Sequence, residues 1–257
     1  MPALRLALHF VNREVRSRYL GSFSGGLWAL LQPLIQLSVY GFVWVYVFKM
    51  GRPDAGAGDI VPFLALGLWP WNALSESLVR SSTAIQDNAA LIGKVALPRE
   101  VLVFSCVAAS FLLHGVGFIA IVAVFALLFG TAVHAIALPL ALLLWLQLFL
   151  LALGLSLLFS AIQVFVRDLA QVLAQVLPLW MFLSPVLYQR ELLPEKYRPL
   201  LDWNPFTFYP ESMRALLLGQ GSISLAAQAT ALVLALVVLG IGFAAFRRLS
   251  PHFEDFL

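Results

Sequence analysis

Charge is what this chain lacks most. Of its 257 residues only 11% are Asp, Glu, Lys or Arg, against 61% in the hydrophobic set; an average soluble domain is about 25% charged. Residues 101–166 contain no charged side chain at all. A soluble core helix is rarely apolar all round for such a length, and about 20 apolar residues already span a bilayer. A soluble enzyme and a disordered chain are thereby excluded. Cysteine is nearly absent too: Cys106 stands alone in an apolar run, so no internal disulfide framework can form. The net charge of +3 is too small to point to nucleic acid. The chain reads as a polytopic membrane protein.

Chemical motifs are equally scarce. There is no G-x-x-x-x-G-K-[ST] phosphate loop, because Gly93-Lys94 lacks the upstream glycine spacing. His9, His114, His134 and His252 are scattered, with no H-E-x-x-H or Cys/His cluster, so no metal or other cofactor is expected. Gly-x-Ser-x-Gly is missing as well, and no catalytic residue is assigned. Paired acids deep in an apolar run, as a proton-coupled carrier needs, do not occur. Glu76 is the one acid placed inside a span, with Arg80 one turn later as its natural partner, and a structural ion pair is the preferred reading. A pathway built this way needs outside power. Arg5, Arg13, Arg16 and Arg18 interrupt any signal-peptide core at the N-terminus.

What is present is a series of apolar runs. Six spans are the economical count: 27–48, 60–79 (interrupted by Pro62 and Pro70), two long helices within 101–166 broken near Gly130 to His134, then 169–188 and 223–246. With six spans, one side collects Arg5, Arg13, Arg16, Arg18, Arg80, Lys94, Arg99, Arg167, Arg247 and Arg248, whereas basic residues on the other side are nearly balanced by acids. The positive-inside rule then puts both termini in the cytoplasm. The charge-free block reads as scaffold.

Three stretches do not span. Residues 4–19 form a basic amphipathic helix with Leu4, Leu8, Val11, Val15 and Tyr19 on one stripe, while Leu6 and Phe10 fit it less well. Residues 82–98 place Ile85, Ala89 and Ile92 on one face of a short helix that Pro98 ends. Residues 189–221 read as a helical hairpin split at Trp203-Asn204-Pro205, with Asn204 as N-cap of a helix starting at Pro205. Tyr40, Trp44, Trp180 and Tyr188 offer aromatic faces that either stack on sugar C–H surfaces or form an interface belt.

In order and spacing, the residues then resemble a known family. The run Arg18-Tyr19-Leu20-Gly21-Ser22 is followed by Gly67-Leu68-Trp69-Pro70-Trp71-Asn72, Asn88-Ala89-Ala90-Leu91-Ile92-Gly93-Lys94 and Leu97-Pro98-Arg99-Glu100. Arg167-Asp168-Leu169, Ser184-Pro185-Val186-Leu187-Tyr188, Trp203-Asn204-Pro205, Glu211-Ser212-Met213-Arg214 and Phe253-Glu254-Asp255-Phe256-Leu257 continue it. Together they are similar to the permease subunit of type-2 ABC polysaccharide exporters, which move O-antigen, capsule or teichoic acid.

The resemblance implies one permease domain over 1–257 and a multi-pass protein of the cytoplasmic (inner) membrane. Within it, 1–24 is an interface helix, 25–188 holds spans one to five with a coupling helix at 82–98, 189–221 forms outer gate helices, and 222–257 is span six and tail. It implies a homodimer working with two copies of an ABC ATPase, which binds the ATP and Mg, and a cargo linked to undecaprenyl diphosphate. On the same footing Ile85, Asp87, Asn88, Leu91, Ile92 and Lys94 meet the ATPase. Arg5, Arg13, Arg16, Arg18 and Arg99 face the carrier head group. Tyr40, Trp44, Trp180 and Tyr188 line the channel, while Pro194, Trp203, Asn204, Pro205 and Arg214 build the gate. A type-2 permease for another lipid, a drug or haem shares the pattern. An integral membrane enzyme acting on polyprenyl phosphates, or a non-catalytic scaffold subunit, is the rival from another class.

Overall fold

A computed structural model describes residues 2–18, 27–49, 60–92, 97–128 and 133–256. Among the described residues the chain is helical, without strands. In order these are α1 (Pro2–Ser17), α2 (Leu27–Phe42), α3 (Ile60–Ser82), α4 (Ala84–Asp87), α5 (Ala89–Ile92), α6 (Glu100–Leu128), α7 (Leu138–Phe165), α8 (Leu169–Phe182), α9 (Arg198–Asp202), α10 (Phe208–Leu218) and α11 (Leu225–Leu249). By length and composition, three stretches can cross a membrane: Glu100–Leu127, Leu138–Phe165 and Leu225–Asp255. Shorter apolar helices cover Leu31–Val47 and Leu169–Phe182.

α3 is the axis of the bundle. Leu64, Leu68, Trp69, Ala73, Leu74 and Leu78 are all buried, packed by α2, α6, α7, α8 and α10. The interruption expected at Pro62 and Pro70 does not occur. Pro62 lies in the first turn, where its missing N–H costs nothing, and the helix runs on through Pro70 to Ser82, packed by neighbours on all but its cleft-facing side. α2 passes at Val43–Val47 into a π-helical turn.

α7 and α11 make the most extensive helix pair. Gly154 and Gly242 are the reason: a Cβ on Gly154 would sit 2.6 Å from the Leu239 Cα, and one on Gly242 would overlap the Gly154 carbonyl oxygen. Small residues let the two backbones touch, the usual device where lipid provides no hydrophobic drive between helices. Gln228 Nε2 donates to Gln147 Oε1 across the same seam at 2.8 Å.

Both termini lie at one end of the bundle with α4 and α5. There α1 packs on α6, and its buried face takes Val11 from the stripe that periodicity favours but not Leu8. Phe10 and Val11 point inward with Leu6 beside them, whereas Leu8 is 60% exposed. The helix carries two apolar stripes, and packing on α6 selects the Leu6–Phe10 one, with the Arg13 guanidinium 4.6 Å over the Phe10 ring. Leu4's side chain, Tyr19 and the Gly130-Thr131 break lie outside the described residues.

Candidate functional site

A cleft of about 880 Å³ opens between α2, α3 and α8. Helical spacing builds its walls. Gln32, Gln36 and Tyr40 follow one another at four-residue steps on α2; Asn72, Glu76 and Arg80 do the same on α3. Ala174, Leu177, Pro178 and Met181 form the apolar wall from α8. Asn72 Nδ2 donates to Gln36 Oε1 at 2.9 Å, joining the two polar rows. Trp28 and Tyr40 add ring faces, while Trp71 is 3% exposed. Amides and rings together can hydrogen-bond hydroxyls and stack on C–H surfaces.

One end of the cleft is closed by an ion cluster around Glu76. Its Oε1 takes the Arg18 Nη1 at 2.9 Å and the Arg80 Nε at 2.7 Å. Its Oε2 lies 2.6 Å from His114 Nε2, which must donate if the carboxylate is ionised. Arg18 also donates to the Cys106 carbonyl at 3.1 Å and to Ser110 Oγ at 3.0 Å, and pairs with Glu14 at 3.4 Å. The Glu76–Arg80 pair is thus present, inside a larger network drawn from α1, α3 and α6. Arg18, whose side chain is 2% exposed, is committed to it, which conflicts with a role on a carrier head group. Arg99 is committed too, donating to the Ser250 carbonyl and pairing with Glu254. Arg5, Arg13 and Arg16 stay exposed on α1.

Of the four singled-out aromatics, Tyr40 lines the cleft. Trp180 sits beyond its wall, edge-on to Trp71 at 5.5 Å. Trp44 packs on Phe48 with ring centres 5.2 Å apart. Tyr188 is half-buried near the far end.

At that far end the chain reverses twice. Asn204 Oδ1 accepts from Trp180 Nε1 at 2.9 Å and from the Phe206 N–H at 3.0 Å, while its Nδ2 donates to Ser184 Oγ at 2.8 Å. Asn204 therefore staples the hairpin to the end of α8, and the next helix starts at Phe208, not at Pro205 as the Asn-Pro pair suggests. An Asx-type turn has taken the place of the cap. Pro194 precedes a single 3₁₀ turn, Pro205 is half-buried behind Asn204, and Trp203 is 88% exposed.

Arg214 is the anchor. Fully enclosed, it donates to the carbonyls of Phe63 (3.1 Å), Pro185 (2.6 Å) and Val186 (2.6 Å), with its guanidinium carbon 3.5 Å over the Phe63 ring. Gly67 makes the room, since a Cβ there would overlap the Val186 carbonyl oxygen.

At the terminal end, Ile85 and Ile92 are buried in a cluster with Phe10, Val164, Phe246 and Phe253. They hold the 84–92 segment down instead of presenting it. Leu91 is half-buried, and Asp87 and Ala90 are the exposed positions. Arg13 Nη2 donates to Asn88 Oδ1 at 2.8 Å, tying α1 to this segment. Lys94 lies outside the described residues.

Sequence reasoning missed Gln32, Gln36, Asn72, His114 and Gln163. The four-residue steps on α2 and α3 were the available signal for the first three; His114 and Gln163 belong to the block read as scaffold, and no local pattern marks them.

Comparison with known proteins adds lineage to this geometry. The family described as ABC-2 type transporter matches residues 6–218. Over 255 residues, 98% of this chain and 95% of the relative, it is 25% identical to an O-antigen export system permease protein RfbA of Klebsiella pneumoniae. It is 32% identical over 213 residues to a protein of the same name from Myxococcus xanthus, covering 82% of this chain and 79% of the relative.

Proposed function

The chain belongs to the ABC-2 type transporter family, and on that premise we propose that it forms the channel of an ATP-driven exporter of undecaprenyl-diphosphate-linked polysaccharide. It is a transporter's membrane subunit, not an enzyme, and the family implies an ABC ATPase as its partner. In this reading α2, α3, α6, α7, α8 and α11 cross the cytoplasmic membrane, with both termini in the cytoplasm. Two permease copies close the open side of the cleft, and two ATPase copies carry the ATP and Mg.

The observation that carries the reading is the cleft wall itself. Gln32, Gln36 and Asn72 stand in spans whose outer faces are apolar, such as Leu31, Ile35 and Val39 on α2. Amides at such depth are expensive in lipid and mark a pathway. With Trp28 and Tyr40 beside them, they suit a chain of sugar hydroxyls and ring faces. The polysaccharide itself is suggested by relatives named as O-antigen export permeases. The exposed Asp87 and Ala90 are the ATPase contact in this reading, and the exposed Arg5 and Arg16 suit the carrier diphosphate, whereas Arg13 is tied to Asn88.

The test narrows the cleft. Ser75 lines the cleft beside Asn72 and Glu76, and Ser75→Trp should stop surface delivery of the glycan and leave it lipid-linked in the cytoplasm, with permease and ATPase still assembled. Normal delivery through the narrowed cleft would refute this path.

A further inference from the structure

We propose that Gln163 is a positioning residue through which the 84–92 segment moves α8, and so the wall of the cleft. Gln163 is a polar side chain 3% exposed at the last turn of α7, and each of its groups is engaged. Its backbone carbonyl accepts from Gln86 Nε2 at 3.1 Å, and its own Nε2 donates back to Gln86 Oε1 at 3.3 Å and to the Arg167 carbonyl at 2.8 Å. Its Oε1 accepts from the Ala170 N–H at 2.7 Å. That last bond matters most. Ala170 is in the first turn of α8, where backbone N–H groups have no partner within the helix, and the N-cap residue Asp168 supplies no side-chain bond. Gln163 thus caps α8 from the neighbouring helix.

One side chain therefore holds the α8 start and Gln86 at once. Ala174, one turn on from Ala170, opens the row that runs through Leu177 and Pro178 along the cleft. A push on α4 displaces Gln86, and Gln163 passes the displacement to α8.

The inference rests on reading 84–92 as the ATPase contact, and the experiment separates the two. In vesicles holding the permease with its cognate ATPase, polysaccharide exported per ATP hydrolysed is measured for Gln163→Leu, Gln86→Leu and the double variant, and Ala90→Cys is tested for cross-linking to the ATPase. Each single change removes at least two side-chain hydrogen bonds and should lower the ratio at least about fivefold, the bias a single hydrogen bond carries, with hydrolysis retained and the double variant no worse than Gln163→Leu. Gln86 is partly exposed, so its variant keeps the test alive if Gln163→Leu fails to fold. A wild-type ratio in Gln86→Leu, or losses that multiply in the double variant, overturns the inference alone, provided Ala90→Cys cross-links. Absence of that cross-link overturns the reading of the segment and the inference with it.

Discussion

Arg18, at the end of α1, reaches Glu76 in the middle bundle at 2.9 Å, and this single contact fastens the terminal helix to the axis of the fold. Removing it leaves the Glu76 carboxylate with Arg80 and His114 and frees the Cys106 carbonyl of its side-chain donor. A hydrogen bond to a charged group is worth about 1.5–3 kcal/mol. Arg18→Gln should therefore lower the melting temperature and expose α1 to protease, whereas Arg16→Gln, on the exposed face, should do neither. Equal melting of the two variants would show that the cluster is decorative.

Arg214 and Gly67 form one unit. Arg214→Leu leaves the Pro185 and Val186 carbonyls buried without a donor, each at about 1–3 kcal/mol, and strips the helical Phe63 carbonyl of its second one, and should abolish stable accumulation in the membrane. Arg214→Lys should rescue only in part, since one ammonium lacks the planar fork. Gly67→Ala should cost about 1–3 kcal/mol by forcing the 185–186 turn outward. Membrane levels check Arg214→Leu, denaturation midpoints in detergent check the other two, and an unchanged midpoint for Gly67→Ala would contradict the close approach.

Asn204 holds Trp180 and Ser184 with opposite ends of one amide. Asn204→Asp keeps the acceptor for Trp180 and Phe206 but loses the donor to Ser184. The tryptophan emission of Asn204→Asp should stay near wild type, while Asn204→Leu should shift it as the Trp180 N–H loses its partner. Identical spectra for wild type and Asn204→Leu would argue against the staple.

Glu211 predicts a pH dependence at the far end. Burial, the largest influence, raises its carboxyl above the ordinary 4.5 despite the Arg190 and Arg214 charges, with Glu191 and Asp202 adding to the rise. A raised acid binds its proton more tightly when folded, so its contribution is present below 4.5 and is lost as pH climbs through the raised value. Glu211→Gln should therefore gain stability relative to wild type from pH 4 to pH 7. A constant difference across that range would exclude the titration.

The long helices were legible in the sequence because apolar length is a local property, whereas Pro62, Pro70 and Pro205 misplaced breaks and starts. So was the Glu76–Arg80 pair, one turn apart. Arg18, His114 and Cys106 could not be joined to Glu76 in the same way, because their meeting depends on how α1 and α6 pack around α3, and periodicity fixes a face without naming its neighbour. The same limit hid the inward turn of Ile85 and Ile92, which sit on an apolar stripe that serves an external partner or the internal core equally well. Asn204 shows a different failure: Asn-Pro signals a cap, but Trp180, distant in sequence, competes for the same oxygen.

The central claim is that this cleft passes polysaccharide under ATP power supplied by a partner. Inverted vesicles containing the permease and its cognate ATPase, loaded outside with undecaprenyl-diphosphate-linked polysaccharide, measure it directly. Glycan should become protected inside the vesicle only with ATP and both subunits, and Ser75→Trp should abolish protection. Protection without ATP, or ATP-driven transport of a lipid or drug with the glycan left outside, would contradict the account.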